Sequence, residues 1–438
     1  MTSKPANTLT KILISLILIS IAVFGQFTPG HAQDASLPLF SDEGRSQISD
    51  VTAGLPDYIA RARKVALNPA AADLFTSARA GTSAVTLNLF TDAHFEAQLL
   101  ASEATTTGGT LLKGFIPDAA YSEVTLVHQD GYLTGGIAFN GQYFRITTEE
   151  DGLVTISEIN QQGYPEDLQP VTPDIPAAPT STEPTQREFQ DAPNQIDIMV
   201  VYTAQARAAA GGTSAMQNLI NLAISESNTG YANSQVNHRF ILVHTQEFAY
   251  TESDYFTMLY DLQDANGDSL DPVHNLRNNY SADLVVMLVE NTTYCGLAYL
   301  MTNPDTSFAP YAFSLVSINC AAGYYSFGHE TGHNMGSQHN RQSATQPGAF
   351  DYSYGLYNTA IRFRTIMSYD CPGGCTRINY WSNPAISYQG HPTGISQSDP
   401  QAAHNALSLN QTASYVANFR VRPFDPPTDF IYIPTVVK

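Results

Sequence analysis

The stretch FGHETGHNMGSQHN, residues 327–340, constrains this chain more than any other, because it sets three histidines and a glutamate within eleven residues and a glycine between the second and third histidine. On a helix, residues four apart return to nearly the same face, so His329 and His333 can present their rings side by side to one ion. Glu330 stands next to that pair, where a carboxylate reaches a water at the ion without being a ligand itself. Gly336 tolerates the left-handed conformation that ends a helix, and a chain turned there brings His339 back. Three neutral nitrogens leave one position of a tetrahedral cation open. That is the pattern of a catalytic zinc, since structural zinc closes its shell with a fourth protein ligand. We therefore expect one catalytic Zn2+ on His329, His333 and His339, with Glu330 as general base. A bare pair of histidines around a glutamate also occurs on solvated helices; the third histidine and the glycine make the spacing specific.

Composition narrows the setting. With 438 residues, 43% hydrophobic and 14% charged, the chain suits one or two globular domains rather than a disordered one. Its formal net charge of -20, with no basic stripe, argues against a nucleic-acid partner. At the N-terminus Lys4 and Lys11 precede an apolar run over 12–25 and then Gly30-His31-Ala32. This is the secretory signal pattern, with a cut near Ala32. The run is shorter than the about 20 residues that span a bilayer, so a secreted mature chain without a membrane span is expected. Export also bears on the cysteines. Cys295, Cys320, Cys371 and Cys375 suggest two disulfides, and of the three possible pairings we favour 295 with 320 and 371 with 375, the latter closing the CPGGC loop. A second metal site at Cys371 and Cys375 would need two further partners nearby.

A Pro- and Thr-rich linker over 171–194 divides the mature chain. Before it, residues 33–170 alternate apolar and polar residues between Gly, Asp and Asn turns, which predicts short antiparallel strands and DG hairpins. Residues 33–194 hold 22 acidic against 8 basic side chains and no cysteine. After the linker, strands and helices alternate: QIDIMVVYT, a helix over 213–234, HRFILVHTQEF, ADLVVMLVE, AFSLVSINC, the histidine helix, and a closing helix over 411–420. The strand runs buried on both faces fit an α/β sheet. DANGDSLD, 264–271, alternates Asp264, Asn266 and Asp268 like a calcium loop, yet has Ser269 where that loop needs Gly and no Glu at its twelfth position, so a polar loop is the better reading.

The extended histidine pattern together with a methionine turn, here TIMSY at 365–369, is the metzincin signature. With SFGHETGHNMGSQHN, FRTIMSYDC, RINYWSNP and YCGLAYL, residues 195–423 resemble a reprolysin-like metzincin catalytic domain, most closely that of the bacterial peptidyl-Asp metalloendopeptidases. The resemblance implies an α/β (α+β) fold, a twisted mixed sheet with an active-site helix, preceded by a β-rich propeptide domain over 33–170 and followed by a tail over 424–438. It implies a monomeric zinc endopeptidase acting on polypeptide substrates, with Met367 packed beneath the imidazoles and a preference for Asp on the primed side of the cut. Two residues depart from the reprolysin pattern. Asn340 replaces the usual Asp after the third histidine, and Tyr369 matches astacin- and serralysin-like relatives, where such a tyrosine approaches the metal; we assign Tyr369 to the oxyanion. Arg362, Arg364 and Arg377 flank the segment that walls the specificity pocket in relatives, and are either its carboxylate partner or ordinary surface residues. For latency we expect a carboxylate or imidazole of the acidic N-terminal part to take the open metal position until the linker is cut, with Arg187 as candidate. The alternatives are a secreted non-catalytic binding or adhesion protein on the same scaffold, or a broad-specificity protease of this group.

Overall fold

The computed structural model describes residues 36–41, 51–77, 83–175, 191–265, 267 and 269–422. The expected signal peptide, linker residues 176–190 with Arg187, the tail 424–438, and Asn266 and Asp268 of the polar loop lie outside the described residues.

Alternation in the N-terminal part produces a meander. Ser83–Phe90, Ala93–Ala104, Thr110–Phe115, Ser122–Gln129, Tyr132–Phe139, Gln142–Thr148 and Val154–Ile159 each pair antiparallel with the next, and Ile59–Leu67 pairs with the last. Asp130-Gly131 and Asn140-Gly141 make two-residue turns, with φ of 52° and 85°, and 48° and 87°. Two successive left-handed residues match the twist of a hairpin. Local alternation did not reveal closure. Leu37–Pro38 pairs with Val85 and Thr86 at one edge of the sheet, while Phe40–Ser41 pairs with Leu67 and Ala66 at the other. A five-residue stretch thus touches both edges, and the ten-stranded sheet curls into a barrel-like form. Asn88 secures the seam, accepting from Phe40 N at 3.0 Å and donating to Phe40 O at 2.8 Å. Leu87, Leu112, Leu126, Ile137 and Ile156 fill the interior.

In the C-terminal half, Arg239–Phe248, Gln195–Thr203, Leu284–Val289 and Phe313–Ser317 lie side by side in parallel, and Gly296–Ala298 is added antiparallel at the outer edge. Every residue of Leu284–Val289 is buried, as its unbroken apolar sequence requires. The long helix Thr213–Asn233 lies against this sheet. AFSLVSINC ends as a strand at Ser317 and continues as the short helix Ile318–Ala321. The closing helix runs over Asn405–Val416 rather than 411–420. Ala406, Leu409, Ala413 and Val416 are all buried at spacings of three and four, so the apolar face begins earlier than expected. Both favoured disulfides are formed, Cys295–Cys320 and Cys371–Cys375. The first joins the approach to the edge strand to the short helix that leads to the histidines.

The other side of Thr213–Asn233 packs on Ser122–Gln129 and Tyr132–Phe139 of the barrel. Buried polar groups make this contact specific. Tyr143 Oη donates to Glu226 Oε1 at 2.5 Å and Gly323 N to Oε2 at 2.8 Å. Glu123 accepts from Asn233 and Asn379 at 2.6 and 3.0 Å, and Arg145 donates to Asn319 O at 2.7 Å.

Burial pushes the Glu226 carboxyl up from 4.5 to about 7; the Tyr143 and Gly323 hydrogen bonds and Arg145 oppose the rise, and Glu123 adds to it. A carboxyl that holds its proton better folded than unfolded contributes stability in full below about 4.5, and that contribution is lost as pH rises through about 7. The gap corresponds to roughly 3 kcal/mol. In urea unfolding at pH 5 and pH 8, wild type is expected to lose about that much relative to Glu226→Gln. Parallel pH dependences of the two proteins would show that this carboxyl does not titrate in the contact.

Candidate active site

Ser326–Asn334 forms the histidine helix, and all nine residues are buried. It starts from Tyr325 in a left-handed conformation, φ 62°, with no side-chain cap, so tertiary packing rather than capping holds it. Asn334 Nδ2 ties its far end to Tyr299 O and Phe313 O at 2.9 and 3.1 Å. Gly332 leaves room beneath for Trp381 and Met367; a Cβ there would stand 2.6 Å from the indole and 3.0 Å from the Met367 sulfur. The helix ends as its sequence requires. Gly336 has φ 88°, its N–H donates to His333 O, and Ser337 N–H donates to Gly332 O, both at 2.9 Å.

That turn returns His339 to the helix. His329 Nε2 and His333 Nε2 each lie 3.0 Å from His339 Nε2. His329 Nδ1 faces Ile366 O at 2.9 Å and His333 Nδ1 faces Ser337 O at 2.8 Å. A carbonyl only accepts, so both Nδ1 atoms carry the hydrogen and both Nε2 atoms are bare. Burial lowers the pKa of all three rings, His333 to about 4, with the neighbouring imidazoles adding to the effect at His329 and His339. Three neutral rings converge, those of His329 and His333 with their lone pairs turned towards His339 Nε2. Their separations are near the about 3.3 Å between nitrogens on a tetrahedral zinc, so the donor set fits a metal ion.

Glu330 is fully buried, and neither carboxylate oxygen has a hydrogen-bond partner among the described residues. Burial first, and then the charge of Asp167, raise its pKa well above the ordinary carboxyl value. Its place depends on Gly296 of the edge strand, where a Cβ would come within 2.4 Å of Glu330 Oε1. The methionine turn lies on the other side. Ser368 N bonds Thr365 O at 2.9 Å, and Met367 is completely buried. Asn340 accepts from Tyr369 N at 3.0 Å through Oδ1, so the residue that departs from the reprolysin pattern still binds this turn. The Tyr369 ring lies tilted against that of His339, with centroids 4.0 Å apart, and its hydroxyl donates to Asp167 O at 2.6 Å.

The three arginines part company. Arg362 is exposed, whereas Arg364 and Arg377 are each 1% exposed, which removes the surface reading for those two. Their guanidinium groups both face the Tyr324 ring, at 5.3 and 4.2 Å. Asp370, Cys371 and Cys375 also cluster, but both sulfurs are spent in the disulfide. Two residues escaped the sequence reading. Gly296 was visible only as part of YCGLAYL, and Asp167 carried no signal beyond membership of an acidic segment; it lies against His329 and Glu330.

A sequence profile of metallo-peptidase family M12 matches residues 192–382. The chain is 39% identical over 308 residues to a peptidyl-Asp metalloendopeptidase of Stenotrophomonas maltophilia (strain R551-3), covering 68% of this chain and 71% of the relative. It is 37% identical over 302 residues to one of Xanthomonas campestris pv. campestris, covering 67% and 69%. A solved metalloproteinase-II from Bacteroides fragilis aligns over 77% of this chain and 93% of its own at 11% identity, with a TM-score of 0.44, too slight a likeness to build on.

The convergent donors make a direct expectation. Dialysed against zinc and washed, the chain should retain one ion by elemental analysis, and His339→Ala should weaken retention at least about 100-fold. Equal zinc content in the two proteins would show that this imidazole is not a ligand.

Proposed function

From the premise that the chain belongs to metallo-peptidase family M12 and is a metalloendopeptidase, we propose that it is a secreted zinc enzyme that hydrolyses peptide bonds with Glu330 as general base and prefers Asp after the cut. The observation that carries this is the convergence of three Nε2 atoms, two of them fixed in tautomer by backbone carbonyls, beside a buried carboxylate with no hydrogen-bond partner among the described residues. The Asp preference is supported by the name shared by the relatives, and by a buried guanidinium at Arg377 beside the site.

Zinc held by His329, His333 and His339 would supply a Lewis acid for the peptide carbonyl and for the attacking water. Glu330 takes a proton from that water at its carboxylate and delivers it to the leaving amine. Desolvation suits it to both steps, because a carboxylate without hydrogen-bond donors binds a proton more strongly. Tyr369 donates its hydroxyl to the carbonyl oxygen of the bond being cut, where negative charge grows. It already engages a main-chain carbonyl in this way, that of Asp167. Met367 and Trp381 form the apolar floor that keeps the helix in register. Residues 33–170 serve as a propeptide, released by cutting within 171–194 after the signal peptide, 1–32, has been removed.

In the processed enzyme Glu330→Gln should lower peptide hydrolysis by about 100- to 10,000-fold with zinc content unchanged; undiminished hydrolysis would remove Glu330 from the reaction. Gly296→Ala, which displaces Glu330 without touching its chemistry, is expected to cost about 100-fold in kcat, measured on the same peptide. Product mass spectra of a peptide library should show cuts preceding Asp, and cuts spread evenly over residue types would argue for broad specificity.

A further inference from the structure

The residues that follow the barrel's last strand run through the site as an extended segment. Glu166 O accepts from Cys295 N at 3.2 Å, Leu168 N donates to Gly296 O at 2.9 Å, Val171 N to Ala298 O at 2.9 Å, and Leu300 N to Val171 O at 2.8 Å. The segment therefore adds in parallel to the outer edge of the five-stranded sheet, as an extended peptide does when it docks on a free strand. On its other side Gln169 Nε2 reaches Ser343 O and Gln346 Nε2 reaches Pro170 O, at 3.1 and 3.3 Å.

Between these anchors Asp167 turns its side chain inward. Its Oδ1 accepts from Ser326 Oγ at 2.6 Å and its Oδ2 from Arg377 Nη2 at 2.8 Å, and both side chains of the ion pair are 0% exposed. Arg377 is prepared for this partner. Nη1 is spent on Tyr324 O at 3.0 Å, the Tyr324 ring lies under the guanidinium, and Gln161 holds the backbone on both sides, taking Arg377 N at 2.6 Å and giving to Arg377 O at 3.1 Å. Nε is buried without an acceptor among the described residues, which leaves a donor adjacent to Nη2 for a second carboxylate oxygen. A planar guanidinium with neighbouring donors matches a carboxylate, and a fully buried one without an anion is costly. Asp167 is not arranged as a metal ligand. Its Oδ2 lies 3.9 Å from His329 Nδ1, on the opposite side of the ring from the converging Nε2, and its carboxylate groups with His329 and Glu330 but not with the other two histidines.

Resting on the reading of the site as a peptidase that cuts before Asp, we infer that Arg377 and Ser326 form the pocket that reads the substrate's aspartate, and that Asp167 fills that pocket in the intact chain as a built-in competitor. The segment escapes cleavage because it is presented wrongly. In a substrate cut before Asp, the carbonyl that meets Tyr369 belongs to the residue preceding the aspartate. Here the carbonyl on Tyr369 is that of Asp167 itself, and the one before it, of Glu166, is tied to Cys295 N.

The test uses the zinc-loaded full-length chain, its linker verified intact by mass, and two fluorogenic peptides with Asp or Ala after the cut. Asp167→Asn, nearly isosteric, should raise hydrolysis of the Asp peptide about 30-fold or more over wild type. In that background Arg377→Gln should lower the Asp-to-Ala preference by about 100-fold. A measurement independent of Arg377 folding is competition: a capped YPEDLQP peptide should inhibit the Asp167→Asn chain at least ten times more strongly than YPENLQP. Asp167→Asn as slow as wild type, an unchanged preference in Arg377→Gln, or equal inhibition by the two peptides would each overturn the inference, provided that wild type with its linker cut cleaves before Asp. No hydrolysis by any form, cut chain included, would overturn the peptidase reading and this inference with it.

Discussion

Two hydrogen bonds from ring nitrogens to backbone carbonyls set up the rest of this site. His329 Nδ1 gives its hydrogen to Ile366 O and His333 Nδ1 gives its own to Ser337 O. Each bond decides a tautomer, and each tautomer aims a bare Nε2 at the same point. The two carbonyls come from different turns, one made by Gly336 after the helix and one by the segment around Met367, so ligand orientation is a property of backbone geometry in both places. Burial completes the arrangement by keeping the rings neutral.

The same dry interior treats two carboxylates in opposite ways. Asp167 has a donor on each oxygen and an arginine as counter-charge, which offsets the cost of its burial. Glu330, within 4.8 Å of it, has no donor among the described residues. An unsatisfied buried carboxylate costs folding free energy. The surrounding packing bears that cost: Gly296 gives up its side chain so that Glu330 fits, and Gly332 does the same for Trp381 and Met367.

Much of this was legible in the sequence because it is encoded at short range. The helix face shared by His329 and His333, the turn at Gly336, the hairpins at Asp130-Gly131 and Asn140-Gly141, and the apolar strands all follow from spacings of a few residues. Where sequence reasoning fell short, the missing quantity was a distant partner. Arg364 and Arg377 look alike as letters, and alike they are buried on Tyr324, but Arg377 alone of the two donates a hydrogen bond to Asp167. The closing helix was placed late because its first apolar residues, Ala406 and Leu409, acquire meaning only from the surface they cover. Asn340 seemed to break a family contact; the carbonyl oxygen of an amide accepts the Tyr369 N–H as a carboxylate would.

By itself the sequence determined which side chains could hold a cation, which glutamate stands beside them and where the helix must stop, since these depend on 3.6-residue periodicity and on one residue able to take a positive φ. Tertiary structure alone decided that the N-terminal strands close into a barrel, that Gly296 lies under Glu330, and that Asp167 meets Arg377 across 210 residues of chain. Contacts of that range leave no periodic trace, because they are selected by the fit of surfaces once water has been excluded rather than by the local path of the backbone.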